Sequence, residues 1–254
     1  MNTYRENKIP ILEIKGISKT FDGKPVLRDL NLELFQGEII SLLGTSGSGK
    51  TTLFNIIAGI MEPDQGGIFL KNEEITGETG HLAYMLQKDL LLPHLTILDN
   101  VGLPLRIRGK SKLESRAEAL QLIPKFGLAG YEELYPAQLS GGMAQRAAFL
   151  RTYLFSSEVA LLDEPFSALD ALTKDKVQSW YIEMMQELEL STIFITHDID
   201  EAIRLSDRIV ILQPLTQNIQ QQIIIDPKLR KRKDFTLRPE FLEYKKQILK
   251  YLAV

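Results

Sequence analysis

Gly44-Thr45-Ser46-Gly47-Ser48-Gly49-Lys50-Thr51 stands between a short apolar run, Glu38 to Leu43, and a segment, Thr51 to Ile60, whose apolar residues recur at helical spacing until Gly59 and Pro63 stop it. Strand, glycine-rich loop, helix is the context that the phosphate-cradling pattern G-x-x-x-x-G-K-[ST] requires. The glycines let the backbone fold tightly enough to aim successive N–H groups at phosphate oxygens, and the helix start adds its positive dipole end. In such a site Lys50 neutralises the β- and γ-phosphates and Thr51 places its hydroxyl on Mg²⁺. The bare pattern arises by accident in about one chain of this size in a hundred, and its setting here tightens it further.

A partner for this loop lies downstream. Val159-Ala160-Leu161-Leu162-Asp163 reads as an apolar strand ending in a carboxylate able to orient a Mg²⁺ shell, and Glu164 follows directly. Consecutive residues at a strand end point to opposite sides, so Asp163 can serve the metal while Glu164 reaches an attacking water. Two acids opening a turn before Pro165 would be unremarkable alone; beside the loop at 44–51 they read as the second half of a nucleotide site. Leu139-Ser140-Gly141-Gly142-Met143-Ala144-Gln145-Arg146 then supplies a second helix start, running Met143 to Leu154, with Ser140 as its cap. As an isolated feature that is an ordinary cap, but one nucleotide does not need two such starts.

Working outward, Ile11 to Phe21 and Val26 to Phe35 alternate apolar with polar around the Asp22-Gly23 turn signal, an antiparallel pair. The stretch from about Lys88 to Tyr153 reads as mostly helical, with Lys112 to Phe126 ended by Gly127. Glu158 to Leu162, Ser191 to Thr196 and Arg208 to Leu212 are strands separated by helical patterns at Leu172 to Leu188 and Ile199 to Leu205, the layout of a parallel sheet with crossover helices. Gln213 to Gln222, with five Gln and one Pro, reads as a connector. Beyond it, Lys228, Arg230, Lys231, Arg232 and Lys233 read as a solvated basic face, with a role at anionic lipid or at a partner as the alternative. The fold class expected is α/β: a P-loop NTPase core with a mostly parallel sheet, an N-terminal antiparallel β subdomain and an inserted helical subdomain.

Composition agrees with a globular chain: 254 residues, 44% hydrophobic and 25% charged. A formal charge of -3 does not advertise a nucleic-acid binder. The absence of cysteine removes disulfide scaffolds, thiol nucleophiles and Cys-ligated metal sites, and three histidines argue against a His-rich metal site. No run of about 18 apolar residues occurs, and the polar start at residues 1–8 does not resemble a secretory signal, so a cytosolic location is the default expectation.

The ordered set of motifs resembles the ATP-binding-cassette family of transport ATPases, over about Ile11 to Leu212. By that resemblance residues 1–212 form the ATPase domain, with a RecA-like core and a helical insert at about 88–155, and residues 213–254 form a tail with the basic cluster and a terminal helix. Phe21 resembles the aromatic residue that stacks on adenine, and Gly44, Thr45, Ser46, Gly47, Ser48, Gly49, Lys50, Thr51 and Thr52 the Walker A loop. Gln87 resembles the glutamine of the Mg²⁺ shell, and Ser140, Gly141, Gly142 and Met143 the signature loop. Asp163 and Glu164 resemble the Walker B pair, Ser167 to Asp170 the segment crossing between subunits, and His197 the switch histidine. The metal set implied is Thr51, Gln87 and Asp163; the catalytic set is Glu164, His197 and Lys50.

The family packs two such domains head to tail, with ATP and Mg²⁺ held between the Walker A loop of one and the signature loop of the other, which accounts for the second helix start. The resemblance implies an ATPase coupled to transport, peripheral on the cytoplasmic face of the membrane. Its implied partners are a second copy, transmembrane permease subunits docked at Lys88 to Leu105, and indirectly a solute-binding protein; no nucleic acid is expected. Met143, where the family at large has Gln, together with the tail around Arg238-Pro239-Glu240-Phe241-Leu242 and Lys245 to Leu252, resembles the importer branch for nitrate, sulfonates, taurine and pyrimidine precursors. A soluble cassette acting on DNA or ribosomes is the alternative, but only about ninety residues part Lys50 from Ser140, without heptads, and each motif occurs once. A small-molecule kinase on the same loop would leave the signature segment and His197 without a role.

Overall fold

A computed structural model describes residues 9–156, 158–213, 216, 218–230, 232 and 234–252. The polar start at residues 1–8, and Lys231 and Lys233 of the basic cluster, lie outside the described residues. The chain forms two units, one drawn from the stretches up to His81 and from Glu189 onward, the other from Leu82–Leu188.

The first stretch runs β1 (Pro10–Phe21), β2 (Lys24–Phe35), β3 (Ile39–Leu43), α1 (Lys50–Ile57), β4 (Gln65–Leu70) and β5 (Glu73–Glu74). β1 and β2 pair antiparallel, as their alternation predicts, and both turn residues, Asp22 and Gly23, take left-handed backbone angles (φ 49° and 74°). That is the requirement of a two-residue hairpin whose twist matches its strands. β4 and β5, short runs that the sequence pattern does not single out, extend this sheet in the order β2-β1-β4-β5. Leu12, Ile14, Leu30 and Leu34 are buried on one face.

The middle stretch contains β6 (Ala83–Met85), α2 (Ile97–Val101), α3 (Leu103–Ile107), α4 (Lys112–Leu122), α5 (Gly141–Phe155), β7 (Val159–Asp163) and α6 (Ala171–Leu188). The expected helical region is less continuous than its composition suggests, because residues 86–96 and 123–140 carry no α-helix. Prolines at 93, 124 and 136 interrupt the pattern. Asn100, fully buried, holds the first of these turns by accepting from Leu92 N–H and donating to the carbonyls of Leu92, Leu95 and Thr96. β6 pairs with β7 in parallel, Met85 opposite Leu162.

The last stretch, β8 (Ser191–Thr196), α7 (Ile199–Leu205), β9 (Arg208–Gln213), β10 (Asn218–Ile224), α8 (Pro227–Arg230) and α9 (Pro239–Leu252), returns to the first unit. There β3 lies between β8 and β9, parallel to both, and every residue of all three strands is buried. Fully covered parallel strands read as continuous apolar runs, which is why β3 and β9 were legible.

Two readings need correction. Gln213 to Gln222 is not a connector throughout: Gln213 ends β9 and Asn218–Ile224 pairs antiparallel with it, while Pro214, Leu215 and Gln217 lie outside the described residues. The unsatisfied edge of β9 decides the backbone, and glutamines serve on a half-exposed edge strand; Gln222 accepts from Arg208 Nη1 at 2.7 Å. Nor is the basic cluster uniformly a solvated face. Arg230 is only 8% exposed, its Nη2 lying 2.6 Å from Asp207 Oδ1, while Arg232 is exposed. Arg208, 2% exposed, is held by both oxygens of Glu38 at 2.9 Å. A buried guanidinium is tolerable because its donors are matched in this way.

Candidate functional site

The loop at 44–51 leaves buried β3 and enters α1. Its glycines are required by space as well as by angle. A Cβ at Gly44 would come within 2.6 Å of Leu212 O, and one at Gly49, where φ is +90°, would come within 2.9 Å of Leu27 Cδ2. Ser48 N–H closes onto Thr45 O at 3.2 Å, whereas among the described residues the backbone N–H groups of Ser46, Gly47 and Gly49 find no protein acceptor. Lys50 Nζ folds over the loop to Gly44 O at 2.8 Å, Thr45 O at 2.9 Å and Ser48 Oγ at 3.3 Å. Exposed Thr45 to Gly47, open amides, a helix start and one ammonium make a donor set that fits a polyphosphate anion. Thr51 is exposed and Thr52 half-buried at the first turn of α1.

His197 is placed by strand register. Leu43 on β3 stands opposite Thr196 on β8, so Gly44 and His197 are the first residues past the same edge of two neighbouring parallel strands. His197 is exposed. Asp198 behind it caps α7, accepting from Asp200 N–H at 3.0 Å and Glu201 N–H at 3.2 Å, and donates its own N–H to Thr196 Oγ1. This follows the general rule that open α/β sheets bind ligands beyond the carboxyl ends of their strands. Phe21, 40% exposed, ends β1 at the hairpin tip, with Lys19 Nζ 5.6 Å from its ring centroid.

In the other unit β7 delivers Asp163 and Glu164 to its carboxyl end. Glu164 takes a left-handed backbone angle, φ 45°, uncommon for a residue with a Cβ and found preferentially at functional sites. Gln87, just beyond β6, donates through Nε2 to Glu164 Oε2 at 3.1 Å and to Ser167 Oγ at 3.3 Å, while Ser167 Oγ donates to Glu164 O at 2.9 Å. Gln87, Glu164 and Ser167 thus form one connected group. Burial, and then the Asp163 charge, push the Tyr84 hydroxyl up to about 12. The exposed chain after Gln87 is pinned by Arg151, which donates to the carbonyls of Leu90 (2.8 Å) and Asp89. Within the expected permease-facing segment Leu90 is the large apolar side chain left exposed, at 50%, beside exposed Lys88, Pro93 and His94 and with Leu86 before it at 43%; Ile97, Leu98 and Val101 are buried, so most of its apolar letters pack inward.

Ser140 caps α5, accepting from Met143 N–H at 3.4 Å, and Ser140 and Gly141 are exposed at the helix start. Gly142 is buried and has a packing reason to be glycine: its Cβ would meet Thr173 Cγ2 at 2.9 Å and Val177 Cγ2 at 3.2 Å on α6. Sequence reasoning missed Gln145. It is buried one turn into α5 and donates to Pro165 O, tying the signature turn to the residue after Glu164. A glutamine on the inner face of a helix was the signal available for it.

The family described as ABC transporter matches the chain over residues 27–167. The chain is 45% identical over 233 residues to the formylaminopyrimidine import ATP-binding protein ThiZ of Halalkalibacterium halodurans, spanning 91% of this chain and 90% of that one. It is 38% identical over 204 residues to the taurine import ATP-binding protein TauB of Yersinia pestis bv. Antiqua, 80% of each chain. Among solved structures, the dimeric post-hydrolysis state of the ATP-binding cassette MJ0796 bound to ADP and Pi superposes with a TM-score of 0.71 at 30% identity, covering 85% of this chain and 99% of that one.

Proposed function

The chain belongs to the ABC transporter family, and from that membership we propose that it serves as the ATP-hydrolysing subunit of an importer of small solutes, working as a head-to-tail dimer beneath two permease subunits on the cytoplasmic face of the membrane. The relatives named for taurine and formylaminopyrimidine import support a small sulfonate-like or pyrimidine-related solute; a separate solute-binding protein as its indirect partner is part of the proposal. Leu90 and the chain around it are the proposed permease contact, since this is where exposed apolar surface follows Gln87.

In the chemistry we assign, the amides of the 44–51 loop receive the phosphates, and Lys50 exchanges its bonds to Gly44 O and Thr45 O for the β- and γ-phosphate oxygens. Thr51, Gln87 and Asp163 would hold Mg²⁺, which when bound neutralises charge on those oxygens. Phe21 offers its exposed ring to the adenine. Glu164 accepts the proton of the attacking water; Gln87 holds that carboxylate, and Ser167 the backbone carbonyl of Glu164, before it acts. His197, leaving the sheet beside the start of the phosphate loop, donates to the terminal phosphate and fixes the water's approach. The exposed Ser140 turn, with Gly141, Gly142 and Met143, completes the cage on the partner's nucleotide.

The observation that most supports this reading is the shared exit of Gly44 and His197 from adjacent parallel strands. Sedimentation of the Glu164→Gln chain with Mg-ATP tests it: a nucleotide-dependent dimer is expected, and a chain that stays monomeric at saturating ATP overturns it.

A further inference from the structure

α7, the helix that starts immediately after His197, is gripped along its whole length by the C-terminal segment. At its first turn, Lys245 Nζ of α9 meets both oxygens of Asp200, at 2.7 and 3.0 Å. At its end, Arg230 Nη1 of α8 donates to Leu205 O at 3.1 Å, satisfying a terminal helix carbonyl, and Nη2 holds Asp207. Between the ends, Ala202 and Ile203 are fully buried in a cluster shared with Leu43, Phe235, Phe241 and Ile248, and Ile199 packs against it. Phe235 and Phe241 meet edge to face, with centroids 5.3 Å apart.

The cluster therefore joins three things inside one unit: the last residue of β3 before the phosphate loop, the helix that follows His197, and α9. We propose that the segment from Ile225 to Leu252 is a brace that positions His197 for hydrolysis, with Arg230 and Lys245 as positioning residues acting through the two ends of α7. This rests on the role assigned to His197 above. A brace of this kind matters because the His197 ring must meet a phosphate oxygen within hydrogen-bond tolerance, and the helix that follows it sets where its backbone leaves the sheet. Loosening α7 should slow the chemical step and leave the loop's grip on ATP intact, since Lys50 and its amides sit on β3 and α1.

The three histidines, His81, His94 and His197, make a direct test possible. In the full-length chain carrying labelled imidazoles, Arg230→Met is expected to shift or broaden the His197 ring signal and leave those of His81 and His94 in place. ATP affinity should hold while kcat falls about tenfold, and Arg230→Lys should recover most of the loss. Lys245→Ala, an exposed change that does not threaten folding, should move the same signal in the same direction by less. An unmoved His197 signal in both variants overturns the brace. A moved signal with unchanged kcat instead overturns the catalytic assignment of His197 on which the inference rests.

Discussion

Gln87 donates its side-chain amide to Glu164 Oε2 across 77 residues of sequence, joining the ends of two neighbouring strands, β6 and β7, through one carboxylate. The residue proposed to polarise water is thus held by a neutral donor that can be withdrawn without leaving a buried charge unpaired. Glu164→Gln should retain ATP binding and lower single-turnover hydrolysis by about a hundredfold or more, the range of a positioned general base. Unchanged turnover in a rapid-quench assay would remove Glu164 from the chemistry.

Lys50 spends its ammonium on two loop carbonyls and the Ser48 hydroxyl. Lys50→Ala is therefore expected to weaken ATP by about tenfold or more, through loss of a charge-assisted contact. Titration with a fluorescent ATP analogue checks this, and an unaltered Kd would mean that the loop does not cradle phosphate.

Gly142 separates two consequences that the signature motif joins. A methyl group there meets Thr173 Cγ2 at 2.9 Å, so Gly142→Ala should cost about 1–3 kcal/mol by overpacking α5 against α6. Thr173→Ser removes the offending methyl. Thermal unfolding of the pair should show the double variant recovering stability; equal losses in both would place the strain elsewhere.

Tyr84 supplies a pH signature. Its hydroxyl is raised from 10.0 to about 12 by burial, then by the Asp163 charge. For a group with a raised folded pKa, the neutral form favours the native state, and that contribution is complete below pH 10 and lost as pH rises through about 12. Urea midpoints of wild type and Tyr84→Phe should therefore keep a constant difference up to pH 10 and change relative to each other between 10 and 12. Parallel midpoints throughout would contradict the shift.

The phosphate loop and the strand ending in Asp163 were legible because each is contiguous: glycine angles, apolar runs and the helix start are all written within a dozen residues. The same holds for the β1–β2 hairpin. What the chain hides is pairing at a distance. β6 has only three residues and no pattern of its own, yet it places Gln87; Gln145 declares nothing until its acceptor, Pro165 O, is known. β10 is called by the open edge of β9 and not by its glutamines. Arg230 looked solvated because composition cannot see Asp207, 23 residues earlier. Charge counts describe surfaces well only where no buried carboxylate is waiting.

The position of the Phe235–Phe241–Ile248 cluster late in the chain carries a cost during synthesis. β10, α8 and α9 emerge from the ribosome after every other described element, so a nascent chain that has extruded only through β9 already has its phosphate loop and His197 but presents Ile203, Ile209 and Ile211 uncovered. Until Phe235, Phe241 and Ile248 have been added, such an intermediate leaves apolar surface open to aggregation.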